Sequence, residues 1–471
     1  MEEISHTHLF GADCLLVERS DSLRLYAKDE NDYPIIYRHC IDAGFDISYR
    51  TLSGKKSDAS IDYAKPCCGA VDLYPRYIFE RYIDKPVSGF ELTGEAVDDF
   101  FSPADYYYFK SNFEEGNQVD LVYGSELVRA WKIIFEGSSV GVALKYGGIL
   151  SRGTSSDLML HPKIEVSFEP SNSVDYVFRV YKILVRFLQI VRYRHSYGRL
   201  RVDLFSGTSD KKSFIGRLRE CSSSRVPLAK VGHIAGFRLY LPHIEKVLQF
   251  AADNTEYDCR HYPENELRCF KEDYSLIDFT SIYTAFEAEC NADRELYLKY
   301  EVDPYKSVRR KFLKYAKAFP SDGSDVVACF LKEVNNRVSG IGRNRGQRQS
   351  IMRAYGLLKS AVDSSLSALF HLGNCGEART LSDDEIFQIA DALTKLRGGV
   401  FHGTYSGALS DSDIDRIRFL EVLTYAQTLK RIGFDDSVIE RIVGLVFDSN
   451  SIALNESLRF QEGMKPLLSE A

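Results

Sequence analysis

The sequence predicts an α+β chain: an N-terminal antiparallel β-rich domain, sandwich-like or barrel-like with one packed helix, followed by a C-terminal all-α helical bundle. Two observations carry this. Up to about residue 205 the chain runs in short stretches rich in Val, Ile, Tyr and Phe, broken by turn signals, which is the pattern of antiparallel strands. From about residue 275 the apolar residues recur every three or four positions instead, the spacing of one helix face. The boundaries that follow are 1–215 for the β-rich domain, 216–274 for a connector with a short helix, 275–450 for the helical domain and 451–471 for a weakly patterned tail.

In the first domain, turns are expected at Asp29-Glu30-Asn31-Asp32, Leu52-Ser53-Gly54-Lys55 and Lys145-Tyr146-Gly147-Gly148. Strands are expected at 87–92, 163–168 and 200–205. One helix interrupts them, over 174–191, with Val177, Val180, Leu184, Phe187, Leu188 and Val191 on a single face that should pack on the sheet. In the connector, exposed turns are expected at 208–210 and 222–224. The stretch from Phe237 to Phe250 should make a strand or turn and then a short helix.

With 471 residues, 44% hydrophobic and 27% charged, the chain is long enough for two or three folded domains. Its most apolar helix is interrupted by Arg179, Lys182, Arg186 and Gln189, and no run of about 18 apolar residues exists, so no membrane span is expected. The acidic start, Met1-Glu2-Glu3, has no apolar core of a signal peptide, and the expected location is the cytoplasm. Ten cysteines occur without Cys-x2-Cys spacing, and no Gly-rich loop ends in Gly-Lys-Ser/Thr. Zinc binding and nucleotide hydrolysis therefore have no visible machinery, and no cofactor is expected.

The helical domain holds the chemistry. Ser382 and Glu385 form a capping box, and Ile386, Ile389, Ala390, Leu393, Leu396 and Val400 follow at helical spacing until Gly403 supplies a stop. That helix ends on Arg397-Gly398-Gly399-Val400-Phe401-His402, a permanent cation and a titratable imidazole, the minimum equipment for cleaving RNA without a metal. A second Arg-x4-His match, Arg238 to His243, contains Pro242, which forbids a continuous helix across the pair. Five residues of ideal helix turn through about 500°, leaving Arg397 and His402 roughly 140° apart. Either the helix loosens at Gly398-Gly399, or a second copy of the chain completes the site across a twofold axis.

A basic island precedes this helix. Residues 299–353 hold 13 Lys and Arg against 5 Asp and Glu, a balance of +8 in a chain of −7, so the remainder sums to −15. Within it the loop Gly340 to Arg348 is Gly/Arg-rich, and Arg343, Arg345 and Arg348 are candidates to track RNA phosphates. Lys306, Arg309, Arg310, Lys314 and Lys317 read instead as a solvated helix face. Tyr405 could stack a base or pack on the next helix.

The ending Ala392-Leu393-Thr394-Lys395-Leu396-Arg397…His402-Gly403, followed by further helices, resembles the HEPN ribonuclease superfamily, specifically the ApeA-like branch of bacterial anti-phage abortive-infection proteins. The upstream helix over 277–299, with Phe279, Ile282, Phe286 and Cys290 on one stripe, and the run Tyr283-Thr284-Ala285-Phe286-Glu287 resemble that family's first helix. Gly398 stands where the family usually carries Asn, Asp or His.

The resemblance implies a metal-independent endoribonuclease and anti-phage effector acting as a dimer, with Arg397 and His402 catalytic and Glu287 bracing the Arg. Helical phase favours Glu289 equally for that last role. His402 would serve as general base or acid and Arg397 would hold the phosphate, giving 2′,3′-cyclic phosphate and 5′-hydroxyl ends. The RNA would be tRNA or another structured RNA, and the N-terminal domain would respond to a phage component. The bland alternative is an Arg397–Glu287 pair that merely stabilises the bundle, with His402 as a helix cap. Two other functions remain: a non-catalytic RNA-binding module, and a dimerising scaffold whose β domain binds a protein or sugar.

Overall fold

The structure, a computed structural model, describes residues 3–19, 22–41, 44–51, 54–101, 126–150, 158–208, 211–221, 237–264, 274–292, 306–318, 325–340, 345–370, 380–405 and 407–447. The turn at 222–224, Arg343 and the tail lie outside the described residues. The chain divides into two compact units whose sequence boundary falls near residues 259–266. The α+β class holds, with a large antiparallel sheet in the N-terminal part and helices in the C-terminal part.

Among the described residues the first unit is built on twelve strands: β1 Glu3–Leu9, β2 Ala12–Glu18, β3 Leu23–Ala27, β4 Phe45–Arg50, β5 Lys56–Cys67, β6 Ala70–Arg81, β7 Val87–Gly94, β8 Glu126–Phe135, β9 Ser138–Leu150, β10 Leu158–Ser171, β11 Leu200–Ser206 and β12 Ser213–Glu220. They form one sheet in the order β1-β2-β3-β6-β12-β11-β7-β10-β9-β8, and β5 branches from β6 with β4 beyond it. The long strand β6 is the junction. One of its edges pairs with β5 throughout; the other is divided, residues 70–73 going to β3 and 77–81 to β12.

Each side of this junction has its own core. Strands β1 to β6 curl until β1 comes beside β4, and α1 (Tyr33–Ile41) closes the curl over Leu16, Leu25, Ile47, Ile61 and Leu73. On the other side lies α3 (Val174–Arg192), whose N-terminus is capped by the Ser173 hydroxyl accepting from the Tyr176 N–H at 3.2 Å. All six apolar residues expected on one face are buried, and burial extends around most of its circumference. Each such side chain contributes roughly 1.5–3 kcal/mol of transfer free energy.

Three local expectations are corrected. Residues 29–32 are a helix start, not a turn between strands: the Asp29 carboxylate accepts from the Asn31 N–H at 2.9 Å and a 3-10 turn leads into α1. With α2 (Glu95–Phe100), the strands are thus interrupted, among the described residues, by three helices rather than one. Gly147 and Gly148 lie inside β9, opposite His161 and Leu160. The turn of the β8–β9 hairpin is Glu136-Gly137, with φ of 51° and 77°, the left-handed pair that a two-residue hairpin loop requires. Between Phe237 and Asp253 the expected turn and short helix are found, without the alternative strand: a short α4 (Phe237–Tyr240), a 3-10 turn carrying Pro242 and α5 (Ile244–Asp253) follow one another, so the Arg238–His243 match is broken as its proline dictates.

Helix α5 does two jobs in this unit. Arg186 of α3 donates to the carbonyls of Ala251 (2.7 Å) and Thr255, satisfying acceptors that the end of α5 leaves open. Gln249 of α5 donates to the Ile134 carbonyl at 3.0 Å and accepts from the Ile134 N–H at 2.9 Å, so a side-chain amide caps the outer edge of β8.

The second unit contains α6 (Leu276–Ala292), α7 (Lys306–Lys317), α8 (Asp325–Gly340), α9 (Arg345–Leu369), α10 (Asp383–Phe401), α11 (Asp411–Ile432) and α12 (Asp436–Phe447). Helix α11 is its axis, touching α6, α9, α10 and α12. Every residue from Phe419 to Leu429 is buried, as expected of a helix surrounded on all sides. Two polar members of that run are bonded within the unit: Glu421 accepts from the Tyr274 hydroxyl at 2.6 Å, and Thr424 donates to the Leu420 carbonyl at 2.7 Å. Among the described residues no helix is long and apolar enough to cross a membrane.

Candidate active site

Helix α10 is bounded as its sequence requires. The Glu385 N–H donates to the Ser382 hydroxyl and the Ser382 N–H to the Glu385 carboxylate at 2.8 Å, closing the capping box. At the other end Thr404 N–H bonds the Gly399 carbonyl at 2.9 Å and Gly403 N–H bonds the Val400 carbonyl at 3.1 Å, the double bond of a Schellman motif. Gly403, at φ 66°, takes the left-handed position that this motif needs.

Between these ends the helix does not loosen. It runs unbroken through Gly398-Gly399 to Phe401, and His402 is its capping residue, with its N–H on the Gly398 carbonyl at 3.1 Å. The His402 side chain is exposed and carries no hydrogen bond among the described residues. Gly398 faces open space, with no atom within 4 Å of where a Cβ would stand.

Arg397 points to α6. Its Nη2 donates to both oxygens of Glu287, at 3.1 and 3.3 Å, and its guanidinium carbon lies 5.5 Å from the Tyr283 ring centre and 4.8 Å from that of Phe401. Both aromatic contacts follow from helical spacing, Tyr283 standing four residues before Glu287 and Phe401 four after Arg397. Burial, then the neighbouring Glu287 charge, pushes the Tyr283 phenol up to about 12, so it stays protonated. Arg397 is 24% exposed and Glu287 33%, so the pair is reachable from solvent.

Glu287 and Glu289, left open by the sequence, separate here. Glu289 is buried at 4% exposure and takes the Arg431 guanidinium at 2.9 and 3.0 Å together with the Thr428 hydroxyl at 3.1 Å. It is engaged on α11, away from Arg397.

The basic candidates divide in the same way. Helix α9 already begins at Arg345, so the second half of the expected Gly/Arg loop is helical, continued by the buried series Ile351, Ala354, Leu358, Ala361 and Leu366. From its first turn Gln347 donates to Glu287 Oε1 at 3.1 Å, a contact that sequence reasoning missed although Gln347 lies in the quoted loop. Arg348 pairs with Asp391 of α10 at 2.9 Å and lies over the Phe387 ring at 4.4 Å. A cleft of about 510 Å³ lies beside them, lined by Arg348, Gln349, Met352, Arg353 and Phe387. On α7, Arg310, Lys311 and Lys314 are exposed beside exposed Phe312 and Tyr315. Tyr405 folds back over Gly399, its hydroxyl donating to the Ala408 carbonyl at 2.9 Å.

The structure thus brings Glu287, Arg397 and Gln347 to one point, with His402 exposed at the end of the same helix as Arg397. Lys395 and Arg348 both serve Asp391, whose carboxyl they hold below the usual range, the Lys395 hydrogen bond being the larger cause. Compared with protein-family models, with curated proteins and with solved structures, the chain matches none.

Proposed function

We propose that the C-terminal unit is an endoribonuclease that needs no metal and uses the 2′-hydroxyl of its RNA substrate as nucleophile. One observation carries the reading: Glu287 fixes Arg397 near the end of α10, while the same helix presents His402 exposed and uncommitted. A guanidinium held at one edge by a carboxylate keeps its remaining N–H donors for a phosphate. Imidazole, whose ordinary pKa of about 6.5 lies near working pH, can take the proton from the 2′-hydroxyl or return one to the leaving 5′-oxygen. The products are a 2′,3′-cyclic phosphate and a 5′-hydroxyl.

An unbroken helix keeps Arg397 and His402 on different faces, so the reading includes a homodimer in which the partner's copy of the motif completes each site. Arg345, Arg348, the exposed cations of α7 and Arg343 would hold the RNA backbone, with tRNA or another structured RNA as the substrate class. The resemblance to ApeA-like proteins supports a role as an anti-phage effector in the cytoplasm, triggered through the N-terminal unit.

One feature favours a second reading, an RNA-binding module without activity: Gly398 offers no side chain to orient His402. The test is incubation of wild-type and His402→Ala protein with total cellular RNA in excess EDTA, with mapping of the new ends. Cleavage by wild type alone with cyclic-phosphate ends supports the ribonuclease. Salt-dependent binding by both proteins without cleavage, in lysate from phage-infected cells as well, supports the binding module.

A further inference from the structure

Beyond Val202 and Leu218 the strands β11 and β12 part. Strand β11 continues beside β7, with Leu200 opposite Gly94 and Arg201 opposite Thr93, while β12 continues beside β6, with Arg219 opposite Ile78 and Glu220 opposite Tyr77. At this split lies a cleft of about 300 Å³ lined by four arginines, Arg199, Arg201, Arg217 and Arg219. Tyr197 and Glu220 also line it.

The local charges do not cancel. Glu220 is matched by Lys182 at 2.8 Å and accepts from the Tyr181 and Tyr197 hydroxyls at 2.8 and 2.6 Å. Arg219 is matched by Glu18. Arg201 and Arg217 share a single carboxylate, Asp203, at 2.7 and 3.0 Å, which leaves one positive charge over. Arg199 is exposed and its side chain has no partner among the described residues, which leaves a second.

We propose that this cleft binds a small phosphate monoester, held by Arg199 and by the Arg201 and Arg217 pair that shares one carboxylate. Such an ester carries a charge of about −1.5 to −2 at neutral pH, matching the two unmatched cations. Guanidinium meets phosphate oxygens in pairs, and the volume stands at the small end of ligand sites. The site belongs to the N-terminal unit and does not depend on the ribonuclease reading.

The experiment is calorimetric titration of the full chain with inorganic phosphate, adenosine monophosphate, ribose 5-phosphate and, as the uncharged control, adenosine. Wild type should bind both esters and not adenosine. Arg199→Glu should weaken them by about tenfold or more, the scale of a lost charge-assisted pair. Its melting temperature without ligand should match wild type, because Arg199 holds no partner to lose, and Arg201→Gln should weaken binding in the same sense. Failure of wild type to bind either ester at millimolar concentration overturns the proposal. So does binding that survives both substitutions, or an Arg199-dependent affinity seen for an RNA oligonucleotide but for neither ester.

Discussion

The Glu289 carboxylate holds the Arg431 guanidinium at 2.9 and 3.0 Å, although it stands only two residues from the glutamate that holds Arg397. Two positions of a helix differ by about 200°, so α6 offers one carboxylate to the buried side and another to the accessible side. Their substitutions should separate stability from activity. Glu289→Ala, which takes the carboxylate away from a largely buried guanidinium, should destabilise the C-terminal unit by about 3 kcal/mol in urea titration. Glu287→Gln, at a solvent-reachable pair, should cost less than about 1 kcal/mol yet lower RNA cleavage. The reverse pattern would remove Glu287 from the site.

His402 contributes its backbone, not its side chain, to the helix end. His402→Ala should therefore leave the melting temperature within a degree or two, since surface changes usually stay within about 0.5 kcal/mol, while cleavage is lost. A large drop in melting temperature would restore the bland view of His402 as a structural cap.

Two glycines near the same helix end should respond oppositely to alanine. Gly398→Ala places a methyl group in open space within a helix and should stabilise by roughly 0.5–1 kcal/mol. Gly403→Ala forces a side chain into the left-handed region at φ 66° and should destabilise by about 1 kcal/mol. Thermal melts of the pair decide whether the Schellman motif governs this end.

Acid should weaken the N-terminal unit. Burial alone would raise the carboxyls of Glu91, Glu165 and Glu220, but Lys212, Lys163, Lys145 and Lys182 outweigh it and hold all three below their ordinary range. A carboxylate lowered in the folded state contributes stability that is complete above its unfolded pKa and is lost as pH falls through the folded value. The loss should therefore set in below about pH 4.5. Glu220→Gln should flatten that part of a stability-versus-pH curve; an unchanged slope would remove Glu220 as a source.

Gln249→Leu should uncover the edge of β8. The Ile134 N–H and carbonyl would lose both partners, and an exposed strand edge is a template for pairing with other chains. Light scattering should show concentration-dependent association absent from the wild type.

Much of this was legible in the chain. The capping box, the apolar spacing and Gly403 fix α10 before any coordinates, because each is a local demand of helix geometry. The six-residue face of α3 was legible for the same reason. Glycine misled elsewhere: in β9 Gly147 and Gly148 are ordinary extended residues between paired neighbours, while the true hairpin turn uses Glu136, which composition does not flag. The head of α9 read as a loop because its glycines and arginines masked the apolar series beginning at Ile351. Glu287 and Glu289 could not be separated from spacing alone, since the partner of each lies more than a hundred residues away, on a helix whose orientation only packing decides.

Strand β6 has a consequence for how the N-terminal unit yields. Its residues give one row of backbone groups to β5 and split the other between β3 and β12, so neither side of the sheet can be peeled away without opening the strand that anchors the other. The unit should come apart all at once, with the amides of 70–81 among the last to exchange with solvent. A molecule that stiffens the Arg-lined split beside β12 would thereby quieten fluctuations as far away as the helix closing the first curl.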